Sequence, residues 1–158
     1  MKGVDSEKVL SYFLRNGFLN RREQDIENAV FITKNLLKIR GYPFAYNDFE
    51  GRGPSGVNSN EIRKILCLRY ENKDRLLDKT SKKVYLEDER KIVQTAEQLA
   101  KFDSDKLGLT AQYLFDRAIG NSGKTHLYEW EANIAKNTLN VIESDLEPLI
   151  HPENEPKK

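Results

Sequence analysis

The chain has 158 residues, of which 38% are hydrophobic and 32% charged, a length and composition that predict one folded domain with its own core. No run of about 18 apolar residues occurs and the N-terminus lacks the apolar stretch of a signal peptide, so we expect a soluble, cytoplasmic protein. Cys67 is the single cysteine, and His126 and His151 are the two histidines. This scarcity excludes an intrachain disulfide and a clustered Cys/His zinc site. We expect neither a metal nor a cofactor in this protein.

The net charge of +1 conceals an uneven distribution of charged residues. Between Glu61 and Lys83 there are 8 Lys/Arg residues and 4 acids, whereas from His126 to Lys158 there are 3 Lys residues and 7 acids. A basic segment of this kind predicts a face that meets a polyanion, and the acidic end would lie away from it. The alternative is that both segments are ordinary solvated helical faces.

Apolar residues at helical spacing indicate two helices at the start of the chain. Asp5 or Ser6 can cap the first helix, and Gly17 is placed to end it in a left-handed conformation. Asn20 and Glu23 form a possible capping box for the second helix. The apolar stripes comprise Val9, Leu10, Phe13 and Leu14 in the first helix, and Ile26, Ala29, Val30, Thr33, Leu36 and Leu37 in the second.

An aromatic segment and a glycine-rich loop follow the second helix. Phe44, Tyr46 and Phe49 predict a short extended segment packed against the helices. The loop Gly51–Gly56 could expose amides to a phosphate, with Arg52 adding positive charge. The favoured alternative is a tight turn into the next helix, from which the Arg52 side chain can still contact a phosphodiester backbone.

The next helix is predicted to have a basic outer face. Asn58 and Glu61 form a second possible capping box. Arg63 and Lys64 lie in the first turns and project away from an inward stripe, so they could contact a groove or phosphates of a nucleic acid, or pair with nearby acids. The inward stripe comprises Ile62, Ile65 and Leu66.

A hairpin and three further helices complete the predicted fold. Two short apolar segments, 76–77 and 84–86, flank the polar run 78–83, which indicates a hairpin with Lys82 and Lys83 at its tip. Helices are expected over 88–101, around Leu107–Phe115, and from near Thr125. We expect the last helix to bury Leu127, Trp130, Ile134 and Val141, with Trp130 and Tyr128 in a core or a subunit contact. The predicted domains are a winged-helix-like domain over 1–118, a C-terminal helix packed on it over 119–147 and a disordered tail over 148–158.

The stretch Ala118–Thr125 fits a relaxed phosphate-loop pattern with Lys124 and Thr125 in the phosphate and magnesium positions. A true phosphate loop follows a buried strand, whereas the residues before Ala118 predict a helix. Nucleotide binding through this loop is therefore a minor alternative to an interhelical turn.

The order of elements resembles small prokaryotic and phage-borne proteins related to SocA-type antitoxins. The resemblance covers roughly the first 115 residues. It rests on the motifs Phe44-Ala45-Tyr46, Gly53-Pro54-Ser55 and Val84-Tyr85-Leu86-Glu87-Asp88. It implies a winged-helix-like domain that acts through DNA or protein partners, in a regulatory or toxin-neutralising role and without enzymatic chemistry.

Taken together, the sequence predicts a mainly α fold: a winged-helix-like domain with a small β-hairpin and a C-terminal helical extension. The leading functional hypothesis is regulatory DNA binding by a non-enzymatic protein. The alternative is a protein-protein interaction module of the same fold, in which the basic face docks an acidic partner and DNA is irrelevant. The partner would be a toxin-like protein or a second copy of the chain in a homodimer. The predicted nucleic-acid contacts are Arg52, Arg63, Lys64, Lys82 and Lys83.

Overall fold

The structure is a computed structural model that describes residues 6–39, 41–67, 87–119 and 127–150. These residues form a mainly helical fold, as the sequence predicts, with a small two-stranded antiparallel sheet at 49–59 that was not predicted there from the sequence. The winged-helix assignment depended on a hairpin near residues 76–86, and those residues lie outside the described part of the chain. The elements are α1 (Ser6–Phe13), a kinked turn (Leu14–Phe18), α2 (Glu23–Leu37), β1 (Phe49–Gly51), β2 (Val57–Ser59), α3 (Asn60–Cys67), α4 (Glu87–Leu99), α5 (Ser104–Ile119), α6 (Glu129–Asp145) and α7 (Glu147–Ile150).

Gly17 ends the first helical segment in a left-handed conformation, which confirms the sequence-based prediction. Its φ is 113°, and a Cβ at this position would lie 2.4 Å from the Cβ of Ala100. Glycine is therefore needed both for the backbone conformation and for the close approach to the end of α4.

Helix α2 is the central helix and packs against α1, α4 and α5. The predicted capping box of Asn20 and Glu23 is wrong, because the residue that precedes the first helical turn is Arg22 and no side chain caps it. The start of α2 is instead held by Arg21, which donates to the Asp25 carboxylate at 2.9 Å and to the carbonyl oxygen of Phe102 at 2.9 Å. The predicted apolar stripe is confirmed, with Ile26, Ala29, Val30 and Thr33 fully buried.

The two strands pair antiparallel, with Phe49 opposite Ser59 and Gly51 opposite Val57. The prediction that the aromatic segment is extended is wrong before Phe49, because Tyr46–Asp48 form a 3-10 turn. Phe49 begins the strand and packs against Phe31 of α2, with ring centroids 4.8 Å apart. The hairpin therefore lies against the central helix and its loop is Gly51–Gly56.

Helix α3 begins directly after β2. The predicted Asn58 cap is wrong, because Asn58 is still part of the strand; the hydroxyl of Ser59 accepts from the amide of Ile62 at 3.2 Å instead. Ile62 and Leu66 are buried, which confirms the predicted inward face.

The C-terminal helices place some residues differently from the prediction. Trp130 and Val141 are 62% and 50% exposed rather than buried. Relative to the predicted stripe, the buried face of α6 lies one residue further along the chain, which is a rotation of about 100° around the helix axis. It comprises Glu131, Ala135, Thr138, Leu139 and Ile142.

The predicted tail from residue 148 is also wrong at its start. Residues 148–150 belong to helix α7, and Leu149 and Ile150 pack against the main core. These two apolar side chains supply the contact that keeps the segment on the fold. The remainder of the predicted tail, 151–158, lies outside the described residues.

Candidate interaction site

The Gly51–Gly56 loop is held by a side chain of α5. The Oε1 atom of Gln112 accepts from the amides of Arg52 at 3.0 Å and of Gly53 at 2.9 Å. The amide of Gly56 donates to the carbonyl oxygen of Gly53 at 2.9 Å, and Pro54 has no amide hydrogen. These amides are thus already engaged within the protein, which favours the tight-turn interpretation over a phosphate cradle.

Helix α2 fixes the other side of this loop. The amide group of Asn28 accepts from the amide of Val57 at 2.8 Å and donates to the carbonyl oxygen of Ser55 at 3.0 Å. Gly56 has a φ of 104°, and a Cβ there would lie 2.0 Å from Asn28 Oδ1. The loop is consequently a rigid part of the fold, positioned by buried polar groups.

Arg63, one of the predicted nucleic-acid contacts, binds a carboxylate of the protein. Its Nε donates to Glu27 Oε1 at 3.0 Å, and its Nη2 donates to Asn58 Oδ1 at 3.1 Å. The Glu27 side chain is completely buried and also accepts from the backbone amide of Ser59. Arg63 therefore joins α3 to α2 and β2, and pairing with a nearby acid is the interpretation that its contacts favour.

Burial has a direct effect on Glu27. It raises the pKa of the Glu27 carboxyl above its usual value, although the Ser59 amide and the Arg63 guanidinium oppose that shift. The group is thus a buried carboxylate whose charge depends on the two donors for compensation.

The other predicted contacts are either exposed or outside the described residues. Arg52 is exposed, and its guanidinium lies 3.2 Å from the Glu50 carboxylate. Lys64 is exposed on α3. Lys82 and Lys83 lie outside the described residues. Among the described residues, Arg52 and Arg63 thus each pair with a carboxylate while Lys64 is exposed, and contact of these residues with DNA stays a prediction.

An apolar groove lies where the loop meets the first turns of α5 and α6. Its volume is about 420 Å³. Trp130 is one of its lining residues and is 62% exposed, and the neighbouring Tyr128 is 73% exposed. We call this feature the Trp130 groove; its lining residues are Pro54, Asp103, Asp105, Lys106, Leu109, Trp130, Glu131 and Ile134.

Two carboxylates of the Trp130 groove also cap helices. Asp103 Oδ1 accepts from the amide of Lys106 at 2.8 Å, and Glu131 Oε1 accepts from the amide of Tyr128 at 2.9 Å. These bonds fix the first turns of α5 and α6, and with them the walls of the groove. From the sequence, Trp130 and Tyr128 were predicted to lie in a core or a subunit contact, and the groove itself was missed. The alternation of aromatic and acidic residues over 128–131 was the available signal.

The phosphate-loop pattern overlaps a helix in the structure. Helix α5 continues through Ala118 and Ile119, so the segment before the pattern is helical, as predicted. Residues 120–125, including Lys124 and Thr125, lie outside the described residues.

Comparison of the chain with protein-family models, with curated proteins and with solved structures gave no match. Among the described residues, no helix is long and apolar enough to cross a membrane. The same residues contain no group of three or more His, Cys, Asp or Glu side chains arranged to hold a metal ion.

Proposed function

We propose that this protein is a protein-protein interaction module that binds its partner through the Trp130 groove. The observation that carries the proposal is the exposure of Trp130 and Tyr128 next to an apolar groove. Tryptophan and tyrosine are enriched at binding surfaces, since they supply a large apolar contact area at a low cost in conformational entropy.

The rigidity of the groove supports the same proposal. One wall is the loop that Gln112 and Asn28 hold from two sides. Gly108 of α5 allows a close approach to this loop, because a Cβ at that position would lie 2.6 Å from the carbonyl oxygen of Pro54. A binding surface that is already ordered loses less entropy on association.

Regulatory DNA binding is the second candidate, and exposed Lys64 and Arg52 are the residues that favour it. Two observations weaken it relative to the first: Arg52 is close to Glu50, and the Arg63 guanidinium is bound to a buried carboxylate. A role as an antitoxin-like regulator with a winged-helix-like domain is compatible with either candidate and belongs to the proposal.

The test is photo-crosslinking in the cells that naturally produce the protein. A benzoylphenylalanine replaces Lys106, an exposed lining residue of the groove, in one version and Val141, which is exposed on α6 outside the groove, in a control version, so that Trp130 stays in place in both. We expect a discrete protein adduct from position 106 that position 141 does not give. Absence of a protein adduct specific to position 106 would overturn the proposal.

A further inference from the structure

We infer that the segment captured by the Trp130 groove is basic, with an arginine or lysine side chain lying over the indole of Trp130. This inference rests on the proposed function and specifies the chemistry of the partner. It is drawn from the charges and the apolar side chains that line the groove.

The charge of the groove is the first observation. Among its lining residues there are three carboxylates, of Asp103, Asp105 and Glu131, and one ammonium group, of Lys106. Glu131 is almost fully buried, whereas Asp103 and Asp105 are exposed at the rim. A basic ligand complements this rim, whereas nucleic acid or an acidic peptide would be repelled by it.

The apolar lining is the second observation. Leu109 is buried, Ile134 is half-buried and Pro54 is exposed, so an apolar surface continues from the indole into the groove. The methylene stem of arginine or lysine can lie along such a surface while its charged end stays in contact with solvent and with the carboxylates. The face of an exposed indole attracts the same cation through its quadrupole.

These two observations point to the same type of side chain. A purely apolar segment would make no favourable contact with the carboxylates of Asp103 and Asp105, and an acidic one would be repelled by them. An aromatic acceptor, an apolar wall and rim carboxylates occur together within one groove of about 420 Å³. That volume is sufficient for one or two side chains of a peptide.

The experiment selects short random peptides displayed on phage against the full chain at physiological salt, after depletion on the Trp130→Ala variant. Trp130 is the only tryptophan of the sequence, so its fluorescence reports binding of each synthetic selected peptide directly. We expect selected peptides to be enriched in Lys and Arg, to shift the Trp130 emission and to bind less tightly as salt rises.

A charge-removing variant and a matched control complete the test. Asp103→Asn combined with Asp105→Asn should weaken binding of the selected peptides by about tenfold or more. The side-chain amide introduced at position 103 keeps an oxygen that can cap α5. The control removes the same number of charges from exposed positions at the other end of α6, by Glu143→Gln and Asp145→Asn, and should leave the affinity unchanged.

The inference is overturned if selected peptides are acidic or uncharged, if the Asp103 and Asp105 changes have no effect, or if no peptide depends on Trp130. A concentration-dependent shift of Trp130 emission without peptide, with dimerisation lost in Trp130→Ala, would also overturn it, because the occupant would then be a second copy. Failure here is separable from failure of the proposed function. A crosslinked partner whose mapped segment lacks Lys and Arg would preserve the function and refute this inference.

Discussion

The Arg63 guanidinium donates from Nε to the fully buried Glu27 carboxylate at 3.0 Å, across 36 residues of sequence. This pair joins the helix with the predicted basic face to the central helix of the fold. A charge change at Arg63 therefore tests the stability of the fold, whereas a charge change at exposed Lys64 tests only the surface charge of α3.

The first prediction concerns Arg63→Ala. We expect the free energy of unfolding to fall by about 1–3 kcal/mol, because a buried carboxylate loses a charged donor that is itself partly exposed. Lys64→Ala is the matched control on the same helix and should change the free energy of unfolding by less than about 0.5 kcal/mol. Denaturant unfolding of the three proteins makes the comparison, and equal stability of the two variants would contradict the structural role of Arg63.

The second prediction concerns pH and Glu27. Because burial raises its folded-state pKa above the value of 4.5 expected in the unfolded chain, the folded protein binds the proton more tightly. The stabilising contribution of Glu27 is therefore fully present below pH 4.5 and is lost as pH rises through the folded pKa. We expect wild type to gain stability relative to Glu27→Gln as pH falls toward 4.5. A relative loss in urea unfolding series over that range would contradict the assignment.

The third prediction concerns Gly108 in α5. Alanine normally stabilises a helix interior by about 1 kcal/mol over glycine. Here the added Cβ would lie 2.6 Å from the carbonyl oxygen of Pro54, so Gly108→Ala should instead destabilise the protein by about 1–3 kcal/mol. Thermal unfolding measures the sign, and a higher melting temperature would show that the loop does not pack closely on α5.

The helices were the most predictable part of this fold. Ile26, Ala29 and Val30 follow the 3.6-residue period and are buried, and Gly17 has the predicted positive φ. The helix caps were less predictable, because Asn58 and Ser59 are both suitable residues and only the end of β2 decides between them. The hairpin was missed because strands of three residues carry almost no alternation.

Neither the Glu27–Arg63 pair nor the Trp130 groove could be predicted from the local sequence pattern. Glu27 and Arg63 meet through tertiary packing, and no spacing rule anticipates a pair so distant in sequence. Trp130 was expected to be buried because it lies on the apolar stripe of the predicted last helix, yet the packed face of α6 begins one residue later, at Glu131. For a large apolar side chain in the first turn of a helix, the sequence pattern alone does not decide whether it packs inward or faces solvent.

The fourth prediction follows from the exposure of Trp130. Trp130→Ala should change the free energy of unfolding by less than about 1 kcal/mol, whereas Leu139→Ala on the buried face of the same helix should cost about 2–5 kcal/mol. Chemical denaturation gives both values. Wild-type tryptophan emission should also be readily quenched by acrylamide, a neutral quencher that the groove carboxylates do not repel, and a strongly protected tryptophan would contradict the exposed position.

The most direct test of the central claim is calorimetric titration of the partner identified by crosslinking into wild type, Trp130→Ala and a charge-reversal variant. The charge-reversal variant changes Arg52, Lys64, Lys82 and Lys83, and it leaves Arg63 intact because Arg63 pairs with buried Glu27. We predict that Trp130→Ala weakens partner binding by about 30-fold or more, whereas charge reversal changes the affinity by less than about threefold. Mixed-sequence DNA should bind wild type only weakly at physiological salt. Partner binding abolished by charge reversal but retained in Trp130→Ala would contradict the claim.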